Sequence, residues 1–233
     1  MTENAAQDFL EGQIILIDKE LGWTSFDVVN KLRIELRNAL GIKKIKVGHA
    51  GTLDPLATGL VILCAGKATK QIESFMGLEK EYIAEIIIGA TTPSYDLETE
   101  IEHTFPFGHI NLEQLKSVLD DFRGLIEQTP PNYSAKQVDG KRAYNMARQG
   151  ESFQLKKNTV TIHELELIEF SPPKINLRVH CSKGTYIRSL ANDIGEKLGT
   201  GAYLSALRRT KIGDYHVNDA EKISDFVKKL KPL

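Results

Sequence analysis

An α+β fold on a mixed, mainly antiparallel sheet flanked by helices and loops is the architecture this sequence predicts. Strand-like and helix-like segments interleave without regular βαβ units, which argues against a doubly wound fold. Two long strand-like segments, residues 160–170 and 175–181, are joined by too few residues for a crossover, so they pair antiparallel. Composition agrees: 233 residues, 41% hydrophobic and 26% charged, is an ordinary globular mix able to bury a sizeable core. With no internal repeat and no low-complexity linker, the expected organisation is one domain over residues 1–233.

The elements follow in order. Gln13 to Ile17 is apolar and β-branched, a first strand. Thr24 opens a helix: Asp27 stands three residues on, as in a capping box. Phe26, Val29, Leu32, Leu36 and Leu40 recur at helical spacing, and Gly41 stops the run. Glycines and Pro55 break Ile45 to Gly66 into strand, loop and a buried segment at 60–65, and Gly66 to Phe75 is expected to be helical. Glu81 to Gly89 is a strand whose run of three isoleucines suggests burial on both faces. Asp96, Glu98, Glu100 and Glu102 then suggest a solvated loop. Leu112–Phe122 and the basic Gly140–Arg148 are expected helices, and Val160–Phe170 and Ile175–Cys181 are the paired strands. Tyr186–Leu198 is a helix stopped by Gly199, Ala202–Thr210 a strand, and Lys222–Leu230 a last helix.

Several function classes are excluded early. The two cysteines, Cys64 and Cys181, form no CxxC pair, so neither a zinc site nor a disulfide scaffold is expected, and Cys64 lies in an apolar run that points to a buried thiol. The polar start from Met1 to Gln13 lacks the apolar region of a secretion signal, and no apolar stretch is long enough for a membrane span, so a reducing cytoplasm is expected. There is no GxxxxGK[ST], since Ala68 follows Gly66-Lys67, and no GxGxxG. The formal charge, 30 Lys+Arg against 31 Asp+Glu, is −1 and by itself suggests no nucleic acid.

Charge is nevertheless clustered. Residues 31–46 carry Lys31, Arg33, Arg37, Lys43, Lys44 and Lys46 against Glu35. Residues 136–157 carry Lys136, Lys141, Arg142, Arg148, Lys156 and Lys157 against Asp139 and Glu151, with Tyr133 and Tyr144 interleaved. Such clustering is the electrostatic footprint of RNA binding, although a solvated helix face has the same appearance.

The most informative stretch is Lys46–Leu60, with three glycines, His49, two threonines and one carboxylate. Asp54 precedes Pro55, which biases it toward extended backbone, and it is flanked by Leu53 and Leu56, unusual company for a solvated acid. Two readings fit the spacing: a carboxylate presented for chemistry, or an Asx-type turn residue. His49 alone suggests a structural histidine.

The run Gly48-His-Ala-Gly-Thr-Leu-Asp-Pro-Leu-Ala-Thr-Gly59 resembles the catalytic motif of the TruB-type bacterial tRNA pseudouridine-55 synthases. Lys80-Glu-Tyr82, Pro130–Lys136, Gly140–Tyr144, Cys181–Arg188 and Leu204–Arg209 continue the resemblance in the family's order. It implies a pseudouridine synthase fold and isomerisation of uridine 55 in the T loop of tRNA, without cofactor or metal. Asp54 falls on the essential aspartate, suited to stabilising or trapping positive charge as the glycosidic bond breaks. Whether it attacks C1′, attacks C6 or removes the 2′ proton stays open. Arg188 matches the arginine that pairs with that aspartate, and Tyr82 the tyrosine that stacks on the base and is implicated in removing the C5 proton. Tyr186 and Leu207 match positions lining the uridine pocket, and His49 a residue that meets the RNA as the uridine leaves its stack.

Lys19 lies in the family's first motif, but Glu20 replaces the usual following proline, and no catalytic role is expected for Lys19. The resemblance further implies an RNA-gripping insertion at about 130–152 and a short C-terminal extension, 211–233, too short for the full PUA domain of many relatives. The expected partner is tRNA through its T stem-loop, with no membrane and no obligate protein partner. A non-catalytic tRNA-folding module and a synthase for another RNA are the alternatives.

Overall fold

The computed structural model describes residues 3–134, 136–138 and 140–230. Ala135 in the Pro130–Lys136 motif and Asp139 in the basic cluster lie outside the described residues, as do Met1, Thr2 and the last three positions of the C-terminal extension. Besides two short two-stranded ladders, Ala90–Thr91 with His103–Thr104 and Gln137–Val138 with Lys141–Arg142, the strands in chain order are β1 (Gln13–Lys19), β2 (Val47–His49), β3 (Ala57–Ala65), β4 (Lys80–Ile88), β5 (Gly124–Gln128), β6 (Asn158–Ser171), β7 (Lys174–Cys181), β8 (Ala202–Ile212) and β9 (Tyr215–His216). The helices are α1 (Glu3–Glu11), α2 (Ser25–Leu40), α3 (Ile72–Gly77), α4 (Leu112–Asp120), α5 (Ala143–Arg148), α6 (Ile187–Leu198) and α7 (Ile223–Leu230). The chain forms two compact units, Met1–Glu81 with Arg208–Leu233, and Tyr82–Leu207. The chain passes between them inside β4 and inside β8, so no linker composition marks the passage.

In the first unit the strand order is β1-β3-β8, with β2 also on β3 and β9 on β8. β1 runs antiparallel to β3, Ile15 opposite Leu63 and Ile17 opposite Val61. β3 is buried almost throughout, which explains its unbroken apolar run. Its Leu60, Ile62 and Cys64 join Ala50, Phe75, Ile212 and Val217 in one core cluster, closed by an edge-to-face contact of Phe75 and Tyr215 at 5.6 Å. The expected capping box opens α2: Thr24 Oγ1 accepts from the Asp27 amide at 3.0 Å, and the Thr24 amide donates to Asp27 Oδ2 at 2.9 Å. Gly41 ends the helix in the left-handed region, φ 65°.

Phe26 lies in the expected helix but does not share its burial. The buried stripe of α2 is Val28, Val29, Leu32 and Leu36, while Phe26 is 62% exposed. Residue 26 fits a helical period but sits in the first turn, about 100° around the helix from the middle of that stripe. The segment after Gly66 also differs, beginning as a 3-10 turn over Gly66–Gln71 before α3.

In the second unit the order is β8-β4-β7-β6-β5. β6 and β7 pair antiparallel as expected, Leu165 opposite Val179 and Leu167 opposite Leu177. β7 buries every second residue, so one face packs and the other is wet. α6 ends at Gly199, φ 71°, and Gly195 lets it press onto the Gly201–Ala202 backbone. The expected helix at 140–148 starts later, because Lys141–Arg142 pairs with Gln137–Val138 and only Ala143–Arg148 is helical. Among the described residues no helix is long and apolar enough to cross a membrane.

Candidate active site

The Asp54 loop joins β2 to β3 in the first unit. Asp54 and Pro55 open a turn closed by the Ala57 amide donating to the Asp54 carbonyl at 3.0 Å. Aspartate first and proline second is the favoured order for such a turn, so the turn reading and the chemical reading hold together. Asp54 is half-buried.

Three buried polar side chains hold this loop. Ser25, at the start of α2, accepts from the Leu53 amide at 2.8 Å and donates to its carbonyl at 3.2 Å. Arg209, on β8 and 1% exposed, donates through Nε to Leu60 O at 2.8 Å, Nη2 to Gly51 O at 3.2 Å and Nη1 to Thr52 O at 3.4 Å. Lys19, at the end of β1 and also 1% exposed, donates to the carbonyls of Trp23 at 2.7 Å, Glu20 at 3.1 Å and Pro55 at 3.5 Å. Gly59 is obligatory here: it has φ +105°, and a Cβ would lie 2.3 Å from the Arg209 carbonyl oxygen.

The electrostatics follow from this burial. Burial pushes the Lys19 ammonium down to about 8; the Asp54 carboxylate pulls it back up, and Arg209 pushes it further down. His49, on β2, is held below the usual histidine range by burial, helped by Arg209 and opposed by a backbone bond to Gly51. Its imidazole is therefore neutral at pH 7, which suits contact with a base. Glu20, where the family usually has proline, is exposed and pairs with Lys222 at 2.9 Å.

The second unit carries the other expected residues. Tyr82 lies on β4 and is 9% exposed. Tyr186 precedes α6; its amide donates to Gln128 Oε1 at 2.7 Å, and Gln128 Nε2 donates to its carbonyl at 3.0 Å. Arg188, in the first turn of α6, donates to Ser94 O at 3.2 Å and Tyr133 O at 3.0 Å, and its Nε lies 3.6 Å from Asp96 Oδ2. Leu207 is half-buried on β8.

Asp96 is 5% exposed, so its expected place on a solvated loop is wrong. Ser94 Oγ at 2.6 Å and the Glu98 amide at 3.0 Å satisfy its Oδ1, and Arg188 meets Oδ2. An acid in an acidic stretch resembles a solvated one until its arginine, far along the chain, is located. Sequence reasoning also missed the structural weight of Arg209 and Ser25. The signals for Arg209 were a charged pair, Arg208-Arg209, inside a strand and its place at the end of the Leu204–Arg209 motif, and neither said what it holds.

Comparison with known proteins supplies a second line of evidence. Residues 37–187 match the family described as TruB family pseudouridylate synthase (N terminal domain), and residues 188–231 match the tRNA pseudouridylate synthase B C-terminal domain. A tRNA pseudouridine synthase B of Phocaeicola vulgatus is 56% identical over 219 residues, covering 94% of this chain and 93% of the relative. That of Flavobacterium johnsoniae is 53% identical, covering 96% of this chain and 98% of the relative. Among solved structures, a chain of a Cbf5-Nop10-Gar1 complex matches with TM-score 0.72 and 27% identity over 98% of this chain and 56% of its own length. An H/ACA RNP bound to a substrate RNA containing 2′-deoxyuridine matches with TM-score 0.69 and 26% identity, over 95% of this chain and 54% of that one. The chain thus spans about half the length of these two solved chains.

Proposed function

The chain belongs to the TruB family of pseudouridylate synthases, and from that premise we propose that it isomerises uridine 55 in the T loop of tRNA. It is an isomerase that makes pseudouridine in tRNA, as its relatives' names and its family state. The observation that carries the finer reading is a half-buried carboxylate, Asp54, on a loop locked by Ser25, Lys19 and Arg209.

The reaction conserves every atom. The C1′–N1 bond breaks, the uracil rotates, and C1′ bonds to C5; C5 gives up its proton and N1 gains one. Positive charge develops on the sugar as the first bond breaks, and the Asp54 carboxylate answers it. Attack on C1′, attack on C6 and removal of the 2′ proton all require this group ionised. Arg188 is the proposed partner that keeps it so while the uridine is bound. Support comes from the way the Arg188 guanidinium is held in one orientation by Ser94, Tyr133 and Asp96.

Tyr82 supplies a ring for stacking and a route for the C5 proton. Tyr186 and Leu207 line the pocket, and the neutral His49 stacks or hydrogen-bonds where the uridine has left the helix. The chain needs no cofactor for this chemistry, and the compartment on this reading is the cytoplasm. Residues 1–233 act as a catalytic domain with an RNA-gripping insertion near 130–152 and a short extension after 210.

An unmodified T stem-loop transcript tests the assignment. Pseudouridine mapped by carbodiimide adducts and primer extension is expected at the T-loop position, and a transcript with cytidine there yields none. Product at another uridine, or only on another RNA, would remove the T loop from the account. Binding without product would favour the folding-module alternative.

A further inference from the structure

The two basic clusters of the sequence differ once their partners are known. In the second unit, Lys141, Arg148 and Lys157 each face a carboxylate, of Glu151, Glu98 and Glu127, at 3.4, 3.1 and 3.5 Å. Much of that cluster is thus neutralised within the protein. The first-unit cluster differs: among the described residues, only Lys31 in it has an ion pair, with Glu35 at 2.7 Å. It lines a cleft of about 700 Å³ walled by the second half of α2, residues 43–46 and the turn after β3. Seven of its eleven lining residues are Lys or Arg and none is acidic. Lys67 is paired with Glu11, but among the described residues Arg37, Lys43 and Lys44 make no ion pair, and all three are exposed.

The cleft is remote from Asp54. Ser25 holds Leu53 at the start of α2, and from there to Arg37 the helix climbs about 18 Å. By the other route, β3 spans about 26 Å from Ala57 to Ala65, and the cleft lies just beyond its end. One exposed line joins the two places. Phe26 stands out from the first turn of α2, Arg33 lies 5.9 Å over its ring, and Arg33 is itself a wall of the cleft. An exposed aromatic capped by arginine, leading into uncompensated positive charge, suits a polyanion whose bases can stack, which is single-stranded or fraying RNA.

We propose that this cleft is a second tRNA-binding subsite, holding sugar–phosphate backbone about 20 Å from the target uridine, with Phe26 and Arg33 on the path between. The proposal rests on the tRNA reading and specifies where beyond the T loop the RNA is gripped. That distance corresponds to several nucleotides along an RNA strand. Seven like charges that meet one carboxylate, Glu11 on Lys67, repel one another, and bound phosphates relieve that repulsion.

The double variant Arg37→Glu/Lys44→Glu tests it, with thermal melting to establish the fold. Kd and turnover are measured for whole tRNA and for a T stem-loop whose stem ends within about four base pairs of the loop. For whole tRNA the variant loses at least tenfold in affinity, and the slope of log K against log salt falls by about 2, one per lost phosphate contact. The short stem-loop loses at most threefold. Unchanged affinity and slope for whole tRNA overturn the subsite, and equal losses on both RNAs overturn its distance from the target. Wild-type turnover on the short stem-loop reports on the T-loop assignment alone, so the two readings fail separately. Phe26→Ala, measured on whole tRNA, is expected to cost three- to tenfold in affinity with no change in salt slope.

Discussion

Arg209→Met removes the guanidinium that holds the Asp54 loop while roughly keeping the volume of the side chain. The wild-type residue donates to the carbonyls of Leu60, Gly51 and Thr52 at 2.8, 3.2 and 3.4 Å. A charge-assisted bond to a buried carbonyl contributes about 2 kcal/mol when short, and about 1 kcal/mol at the two longer distances. Methionine avoids the desolvation cost of a buried cation, but the buried Leu60 carbonyl is left without that donor and the half-buried Gly51 and exposed Thr52 lose the bonds that fix their place, so relief on one side does not cancel loss on the other. The net destabilisation is about 3–4 kcal/mol. For a chain of this size that lowers Tm by about 10 °C. Turnover falls by about 100-fold, because Gly51 and Thr52 lead directly into Asp54 and a displacement near 1 Å is costly at a reacting group. Arg209→Lys, with one point-like ammonium for three carbonyls, recovers less than half of the lost stability. The assays are calorimetry and single-turnover pseudouridine formation on a saturating stem-loop. An Arg209→Met protein with Tm within 2 °C of wild type and normal turnover would refute the reasoning.

Two pH-dependent effects follow from buried charges. Lys19 titrates near 8 in the folded chain against the usual 10.5. The unfolded chain therefore binds the extra proton between those values, and stability rises with pH across that window. In urea unfolding, wild type should gain about 2.5 kcal/mol over Lys19→Met between pH 7 and pH 10; a flat difference would contradict the shift. Asp193 has the opposite sense for an acid: burial, with Glu196 nearby, raises it to about 6. Its contribution is present below the usual carboxylate value of 3.8 and is lost as pH climbs through 6. Asp193→Asn should thus stabilise the protein by about 2 kcal/mol at pH 8 and by almost nothing at pH 4, and a destabilised variant at pH 8 would oppose this.

What could be read in the sequence was local. The capping box of Thr24 and Asp27 and the glycine stops at 41 and 199 lie within a few residues of the backbone they control, and each is found as expected. The 160–181 hairpin declares its pairing because its two strands adjoin. The Asp54 motif was legible because its residues are contiguous and resemble a known family. What escaped was non-local. Asp96 looked solvated because Arg188, 92 residues later, is what buries it. Arg209 gave no sign of its work because the carbonyls it holds lie about 150 residues upstream. Phe26 fitted the helical period, yet the sheet that decides which face is buried is assembled from distant strands. The charge of −1 concealed one cluster half neutralised by nearby carboxylates and another in which, among the described residues, only Lys31 is paired.

The central claim is that Asp54 performs the isomerisation and does not merely shape a turn. Asp54→Asn keeps the turn-forming side chain and removes the charge, so it separates the two roles. Single-turnover pseudouridine formation should fall at least about 1000-fold, with stem-loop affinity within threefold of wild type. An Asp54→Asn protein retaining more than a tenth of wild-type turnover would contradict the account.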